Sequence, residues 1–203
     1  MSRDHQPGAA QSVDSEDDLH LGLTKLYKTL RAGMNSAWQR DLPLGELLFD
    51  RWERARSLGF GSSSSVYHES YVYGDVTVGA HAWVGPFTVL DGSGGLTIGD
   101  YCVVSAGVHI YSHDTVRRAV SGGQAPIERA GVRIGGYTYI GAQSVVLKGV
   151  TIGDHSVIGA GSIVNRDIPP FTVAVGSPCR PIGRVQIDDD GTVRFEYERQ
   201  QGG

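Results

Sequence analysis

The chain has 203 residues, a mass of 21.7 kDa and a formal net charge of −4 at pH 7. That length suits one domain with short extensions, and the acidic balance lacks the basic surplus typical of nucleic-acid binders. No apolar run reaches the roughly 20 residues that a membrane-spanning helix needs. Two cysteines, Cys102 and Cys179, and no recognisable signal peptide favour a reducing compartment, so we expect a cytoplasmic protein.

The first 59 residues carry no repeat and predict a tail followed by helices. Residues 1–18 are polar and end in DSEDD, which predicts a disordered tail whose acidic end favours a helix start. Over residues 19–59 the spacing predicts two helices, the second beginning near Asp41 and Pro43 and ending at Gly59. The apolar stripe of the first helix consists of Leu19, Leu23, Leu26, Tyr27, Leu30 and Met34. We expect this segment to cap the repeat that follows.

From residue 60 onward an apolar side chain recurs at every sixth position. A period of six fits neither a helix nor a simple strand and is typical of a parallel β-helix with three short strands per coil. The in-phase residues are Phe60, Val66, Val72, Val78, Val84, Leu90, Ile98, Val104 and Ile110, followed by Ile134, Ile140, Val146, Ile152, Ile158 and Val164. They predict about five coils between residues 60 and 184, with Cys102 in a small structural position. Such a thin prism buries little by itself, so we expect a homotrimer.

The repeat breaks between residues 111 and 133, which keep no sixfold phase. Long irregular segments in compact repeat proteins are usually functional, so we expect a loop that projects from one edge of the prism. Residues 185–203 begin with alternating Val185, Ile187, Val193 and Phe195 around a DDDG turn. That pattern predicts a C-terminal β-hairpin and a short tail.

Among the seven histidines, His113 is the strongest catalytic candidate from residue chemistry alone. It starts the irregular loop, whereas His68, His81 and His155 occupy turn or outward positions of regular repeats, where an exposed side chain is expected. Histidine is the commonest general base in enzymes. The pattern therefore predicts that chemistry, if present, lies at the start of the loop.

The segment IGGYTYIGAQSVVLKGVTIGDHSVIGAGSIVNRDIPPFTVAVGSPCRPIGR, together with SHD at the loop start, resembles the hexapeptide-repeat acyltransferases. It is especially similar to the galactoside, maltose and Nod-factor O-acetyltransferases and to sugar O-acyltransferases of polysaccharide biosynthesis. The resemblance covers residues 60–184 and implies an all-β, left-handed parallel β-helix. The N-terminal helices and the C-terminal hairpin lie outside it.

The resemblance implies direct transfer of an acetyl group from acetyl-CoA, with His113 as general base and the backbone N–H of Ala142 as donor to the oxyanion. Asp114 is a candidate to orient the imidazole, with another carboxylate or a carbonyl as alternatives. A covalent intermediate on Ser112 is a minor alternative. The resemblance also implies that CoA is contacted by Ala160, Arg166, Arg180 and Arg184.

Two residues are candidates for binding the acceptor. Asp91 roughly aligns with acceptor-binding aspartates of the galactoside enzymes, and Tyr111 could stack on a sugar. Trimer packing is the alternative for an outward aromatic such as Tyr111. We expect no metal, because the histidines near the loop lack the second histidine pair between coils that β-helix carbonic anhydrases use.

These observations predict an acetyl-CoA-dependent O-acetyltransferase that acts on a sugar or sugar-nucleotide hydroxyl. An N-acetyltransferase of an amino-sugar nucleotide is the alternative within the same chemistry. A non-catalytic β-helix scaffold is the alternative from another class. None of the three predicts a nucleic-acid partner or a membrane span.

Overall fold

The computed structural model describes residues 16–197. The predicted tail therefore lies outside the described residues up to residue 15, as does the end of the chain from residue 198. The chain divides into two units, one ending at Leu48 and the other beginning at Phe49. Among the described residues, no helix combines the length and apolar character needed to cross a membrane.

The first unit contains helices α1 (Glu16–Trp38) and α2 (Leu44–Leu48). Helix α1 begins inside the stretch predicted to be a tail. Three acidic residues occupy its first turn, where negative charge stabilises the positive end of the helix dipole. Arg31 Nε donates to Asp41 Oδ1 at 2.7 Å, so Asp41 pairs with α1, and α2 begins three residues beyond it.

The second predicted helix is interrupted, which corrects the sequence interpretation. The chain forms α2 and then a separate helix α3 (Arg51–Ser57), which belongs to the second unit. Asp50 is the N-cap of α3, and its carboxylate accepts a hydrogen bond from the Trp52 N–H at 2.8 Å. Such a cap begins a new helix. Ala55 of α3 is buried where the helix packs on the first coil of the repeat.

The second unit continues as a parallel β-helix of short strands. In chain order its further elements are β1 (Ser65–Val66), β2 (Tyr71–Val78), β3 (Trp83–Val84), β4 (Val89–Ile98), β5 (Val103–Val104), β6 (His109–Tyr111), β7 (His113–Asp114), α4 (Val116–Val120), β8 (Glu128–Arg129), β9 (Val132–Ile134), β10 (Tyr139–Ile140), β11 (Val145–Val146), β12 (Thr151–Ile152), β13 (Val157–Ile158), β14 (Ile163–Val164), β15 (Thr172–Val175), β16 (Arg180–Ile187) and β17 (Val193–Tyr197).

Parallel pairing stacks these strands into the three faces of a prism. The first face is the column β1, β3, β5, β10, β13 and β15. The second face contains the first halves of β2 and β4, then β6, β11 and β14. The third contains the second halves of β2 and β4, then β9 and β12. The predicted parallel β-helix is confirmed, and β15 adds a sixth rung to the first face beyond the about five coils predicted from the period.

The in-phase aliphatic residues fill the inside of the prism. Ile110 and Ile140, for example, are fully buried. The small residues between them use their hydroxyl groups to connect coils: Ser64 Oγ donates to the Gly79 carbonyl at 2.7 Å and accepts from the Ala82 N–H at 2.9 Å. Ser64 thus pairs its buried hydroxyl inside a core that has room only for small side chains, whereas the buried Thr88 Oγ1 has no hydrogen-bond partner among the described residues.

Both cysteines are buried free thiols. Cys102 occupies the predicted small position, and its Sγ donates to the Gly135 carbonyl at 3.0 Å. Burial raises the pKa of the Cys102 thiol and of the Cys179 thiol. A protonated thiol is a poor nucleophile, which confirms the structural interpretation of Cys102.

The closing stretch ends in the predicted hairpin. Strand β16 pairs antiparallel with β15 on one side and with β17 on the other. Val185 lies opposite Phe195, and Ile187 lies opposite Val193, as the alternation predicted. The hairpin therefore extends the first face with antiparallel strands.

Five stacked rings line the corner between the third and first faces. Neighbouring centroids lie 4.5, 5.3, 4.6 and 4.8 Å apart, and every ring belongs to a residue with φ between 54 and 57°. The rings belong to His81, Tyr101, Tyr137, His155 and Phe171. His81 and His155, expected as isolated exposed side chains, are members of this column. Stacking compensates for a left-handed backbone that side-chain-bearing residues rarely adopt.

Replacing Tyr137 separates stacking from backbone strain. Tyr137→Ala should lower the free energy of unfolding by about 1–3 kcal/mol, because two stacked pairs are lost. Tyr137→Gly loses the same contacts but relieves left-handed strain of about 1–2 kcal/mol, so it should be more stable than Tyr137→Ala. Denaturant unfolding of the three proteins measures both effects. An alanine variant as stable as the glycine variant contradicts the strain argument.

Candidate active site

The loop that interrupts the repeat leaves the second face directly after β6. Strands β7 and β8 pair antiparallel, with His113 opposite Arg129 and Asp114 opposite Glu128, and α4 lies between them. The segment predicted to be irregular is thus a short strand pair closed by one helix. This pairing holds His113 beside the end of the second face.

A carboxylate from the preceding coil holds the His113 ring. Asp91 follows the buried Leu90 in β4 and pairs in register with Tyr111, two residues before His113. His113 Nδ1 lies 2.5 Å from Asp91 Oδ2. A neutral imidazole that donates its Nδ1–H to this carboxylate carries its lone pair on Nε2, the nitrogen that can accept a proton.

Asp91 is held in its ionised form although only 2% of its surface is exposed. The Ser93 N–H donates to Oδ1 at 2.9 Å, and the Ser112 N–H donates to Oδ2 at 3.1 Å. Burial alone would raise the pKa of Asp91, but hydrogen bonds from Ser93, His113 and Ser112 outweigh it and leave the pKa below its ordinary value. The ionised carboxylate therefore orients the imidazole through its contact with Nδ1.

Two aspartates make contacts that differ from those expected from the sequence. Asp91, expected at the acceptor, is buried against His113 with both oxygens engaged. Asp114, expected to orient the imidazole, turns elsewhere: its Oδ2 lies 2.6 Å from Lys148 Nζ, and its Oδ1 accepts from the Val116 N–H at 3.0 Å. The carboxylate that contacts His113 Nδ1 is that of Asp91, which fits the alternative of a carboxylate other than Asp114.

Lys148 connects the loop to the next coil. Its Nζ lies 2.6 Å from Asp114 Oδ2 and 2.9 Å from Glu128 Oε2. Sequence reasoning missed both Lys148 and Glu128. The available signal was coil register: β11 pairs with β6, so Lys148 lies one coil beyond Ser112, at the start of the loop.

A pocket of about 510 Å³ borders the imidazole of His113. The Tyr111 hydroxyl lies 3.2 Å from His109 Nδ1, a contact that fixes the ring on the pocket side of the strand. The pocket is lined by Tyr111, His113, Asp114, Thr115, Val116, Leu147, Lys148 and Asn165. The structure therefore brings the candidate base and the aromatic acceptor candidate to one pocket.

Ala142 and Ala160 lie at a different corner, between the first and second faces. The Ala142 carbonyl accepts from the Gly161 N–H at 2.9 Å, which ties two coils together. Within residues 16–197, the Ala142 N–H itself has no hydrogen-bond acceptor. A small outward residue with a free backbone N–H is suited to donate to a ligand oxygen.

The three arginine candidates are spread over the closing end. Arg180 lies opposite Val175, which is one coil beyond Gly159, the neighbour of Ala160, and so Arg180 belongs to the same corner. Arg166 follows Asn165 on the pocket side of the second face, and Arg184 lies on β16 opposite Thr172. Of the three, Arg180 is the one that the fold places at the end of the Ala142 corner.

A serine nucleophile and a metal centre are the other chemistries to test at this site. Ser112 is fully buried, and its Oγ accepts a hydrogen bond from the Gly94 N–H at 2.7 Å. A hydroxyl in that position supports the backbone and does not reach the pocket. Among residues 16–197, no group of three or more His, Cys, Asp or Glu side chains is arranged to hold a metal ion.

Two repeat families match the chain: bacterial transferase hexapeptide (six repeats) over residues 131–166, and the hexapeptide repeat of succinyl-transferase over residues 75–112. A hexapeptide-repeat-containing acetyltransferase from Vibrio cholerae O1 biovar eltor, solved with acetyl coenzyme A, is 28% identical with a TM-score of 0.56, covering 83% of this chain and 90% of its own. AntD, an N-acyltransferase from Bacillus cereus solved with dTDP and 3-hydroxybutyryl-CoA, is 22% identical with a TM-score of 0.55. The match covers 66% of this chain and 89% of the AntD chain. No curated protein sequence matches.

Asp91→Asn tests whether the buried carboxylate is ionised. The folded-state pKa of Asp91 lies below its unfolded value of about 3.9, so its stabilisation is complete above that pH and is lost as pH falls through the folded pKa. We expect the variant to melt at lower temperature than the wild type near neutral pH, with the difference shrinking in acid. Melting curves between about pH 7 and pH 2 measure this. A difference that stays constant over the whole range contradicts the assignment.

Proposed function

We propose that this chain, a hexapeptide-repeat acyltransferase with a left-handed parallel β-helix, moves an acetyl group from acetyl-CoA to a sugar hydroxyl. The observation that carries the proposal is the buried Asp91 carboxylate on Nδ1 of His113, beside an open pocket. That arrangement gives a general base whose Nε2 is available to an acceptor. The acetyl-CoA bound to the Vibrio cholerae acetyltransferase supports the choice of donor.

In the proposed reaction, Nε2 of neutral His113 takes the proton of the acceptor hydroxyl as its oxygen attacks the thioester carbonyl carbon. A carbon–oxygen bond forms, and the carbonyl becomes a tetrahedral oxyanion. The carbon–sulfur bond then breaks, and the imidazolium returns its proton to the departing thiolate, giving the acetyl ester and free CoA. Asp91 stabilises the imidazolium between these steps, because it remains ionised at Nδ1.

Negative charge on the carbonyl oxygen needs a donor that is in place before the reaction. The free N–H of Ala142 is our candidate, and Ala160 lies one coil further along the same corner. Alanine at both positions lets the pantetheine arm approach the backbone. Arg180, at the end of this corner, is suited to bind a CoA phosphate through its planar guanidinium.

The two halves of the proposed site lie at opposite ends of the second face. Ala142 precedes β11, whereas His113 follows β6, which pairs with β11 in the adjacent coil. One chain therefore does not hold its own base against its own Ala142. We propose a homotrimer in which the His113 corner of one protomer meets the Ala142 corner of the next.

A sugar or sugar nucleotide is the acceptor class that the pocket suits. Tyr111 offers a ring face and edge, and Thr115 and Asn165 offer hydrogen-bonding groups around His113. The two buried, unpaired cysteines are consistent with a cytoplasmic location, where CoA and sugar nucleotides would be met. A panel of sugars, sugar nucleotides and amino-sugar nucleotides, assayed for CoA release, identifies the acceptor and separates O- from N-transfer.

His113→Ala should lower the rate of CoA release by about 10²–10⁴-fold with an accepted sugar, because the general base is lost. Acetyl-CoA should still raise the melting temperature of the variant, since the proposed backbone contacts with the cofactor lie at the Ala142 corner. His81→Ala is the matched control: His81 ends the ring column and stacks on Tyr101, and we expect its activity to remain. Turnover that survives His113→Ala contradicts the proposal and favours a different base.

Ala160→Leu should weaken acetyl-CoA binding by about 1–3 kcal/mol, because the added side chain fills the path of the pantetheine arm. Titration calorimetry with CoA measures the dissociation constant without needing an acceptor. Ala80→Leu places the same side chain at the corner of the stacked rings and should leave CoA binding unchanged. If wild type and Ala160→Leu bind CoA equally well, the cofactor does not pass along the corner of Ala142 and Ala160.

A further inference from the structure

We propose that Lys148 is a positioning residue that clamps the loop carrying His113 onto the next coil of the prism. The clamp acts through Asp114 and Glu128, one from each strand of the loop. This inference rests on the proposed acyl transfer and deepens it, because it states what keeps the base in place. Neither the sixfold repeat nor the family resemblance assigns a role to Lys148.

One ammonium group contacts both strands of the loop. Asp114 of β7 and Glu128 of β8 face each other across the antiparallel pair, and Lys148 Nζ lies 2.6 Å from one carboxylate and 2.9 Å from the other. The three side chains are only 25–33% exposed, so solvent screens these contacts less than it screens a surface pair. The strand pair cannot shift along the coil without losing at least one contact.

The clamp joins segments that are distant in the chain. Lys148 follows β11, which pairs with β6, the strand that leads into the loop. The Gly149 N–H donates to the Ala130 carbonyl at 3.1 Å, just after β8. Lys148 and its neighbour therefore contact the loop near both ends. His113, the residue that begins β7, takes its position from this attachment.

The local charges favour the clamp near neutral pH. Hydrogen bonds to Asp114 and Glu128 raise the pKa of Lys148, and the hydrogen bond from Lys148 lowers the pKa of Asp114. Arg117 Nε contacts Glu128 Oε1 at 2.8 Å, so two cations balance two carboxylates. Without Lys148, the carboxylate of Asp114 would stand uncompensated next to His113.

The other titratable groups near His113 come from four elements, one of which is β8, whose Arg129 lies opposite His113 in the antiparallel pair. Asp91 of β4 contacts Nδ1, Tyr111 of β6 lies two residues before it, and Asp114 follows it in β7. Of these, Asp114 is the group whose charge Lys148 compensates. Removing Lys148 should therefore leave the negative charge of Asp114 uncompensated beside the imidazole.

The test compares Lys148→Met, Lys148→Arg and Arg117→Met with the wild type. Methionine keeps the unbranched length without charge, arginine keeps the charge, and Arg117→Met removes a charge from the exposed edge of the same network. For Lys148→Met we expect kcat to fall by about tenfold or more, with little change in KM for acetyl-CoA. The acid limb of its pH–rate profile should move to higher pH. Arginine should restore most of kcat, and Arg117→Met should resemble the wild type.

A second measurement is independent of turnover. In ¹H NMR spectra the Nδ1 proton that His113 shares with Asp91 should give a downfield signal in the wild type. That signal should weaken or exchange faster in Lys148→Met and recover in Lys148→Arg. An absent acyl transfer with this NMR difference intact would refute the proposed function and leave the clamp standing.

Three results would overturn the clamp. A lowered melting temperature with unchanged kcat, pH profile and NMR signal would make Lys148 a purely structural residue. A raised KM for the acceptor with unchanged kcat would make it a binding residue. An equal loss of kcat in Arg117→Met would assign the effect to the charge of the whole network.

Discussion

In-register stacking of parallel coils is the constraint on which both the core and the candidate site depend. The pairing that places Leu90 beside Ile110 inside the prism also places Asp91 beside Tyr111 at its edge. Asp91 and His113 are 22 positions apart in sequence, yet this register brings their side chains into contact. A slip of one residue would turn the buried aliphatics outward and separate the carboxylate from the imidazole at the same time. The buried core and the proposed catalytic pair thus depend on the same strand register.

The buried carboxylate is informative, because its burial requires hydrogen bonds in the place of water. A charged group removed from water destabilises a fold unless hydrogen bonds replace its hydration. Asp91 receives such bonds from two backbone N–H groups and from His113. A scaffold without chemistry would need no carboxylate there, and the preceding residue of the same strand, Leu90, is a buried apolar side chain. The pair is therefore better explained by the need for an oriented, proton-accepting imidazole than by packing.

The sixfold period was sufficient to predict the prism and the broken segment, because both depend on local spacing. His113 was singled out because it stands where that spacing fails, and its role as base stays a prediction. Asp91 was singled out from the sequence, but its contact with His113 was not predicted, since the DGSGG insertion hides the register that places it there. Asp114 and Lys148 were misassigned or missed because hexad spacing does not show how a loop folds back on a later coil. The ring column escaped detection for a similar reason: each ring alone resembles an exposed turn residue, and only stacking reveals that Tyr137 supports a left-handed backbone.

The proposed chemistry lies where the period fails, because regular coils cannot create this geometry. Outward side chains on adjacent coils lie side by side and both face solvent. One of them therefore cannot contact the inner side of the other, as Asp91 contacts the Nδ1 side of His113. His113 escapes that arrangement, since the chain leaves the coil after β6 and folds the ring back over Asp91. The loop that allows this has little core of its own, and its position must come from contacts such as those of Lys148 with Asp114 and Glu128. An excursion from the coil thus becomes precise enough to hold the proposed base, because the prism supplies an anchor one coil further along.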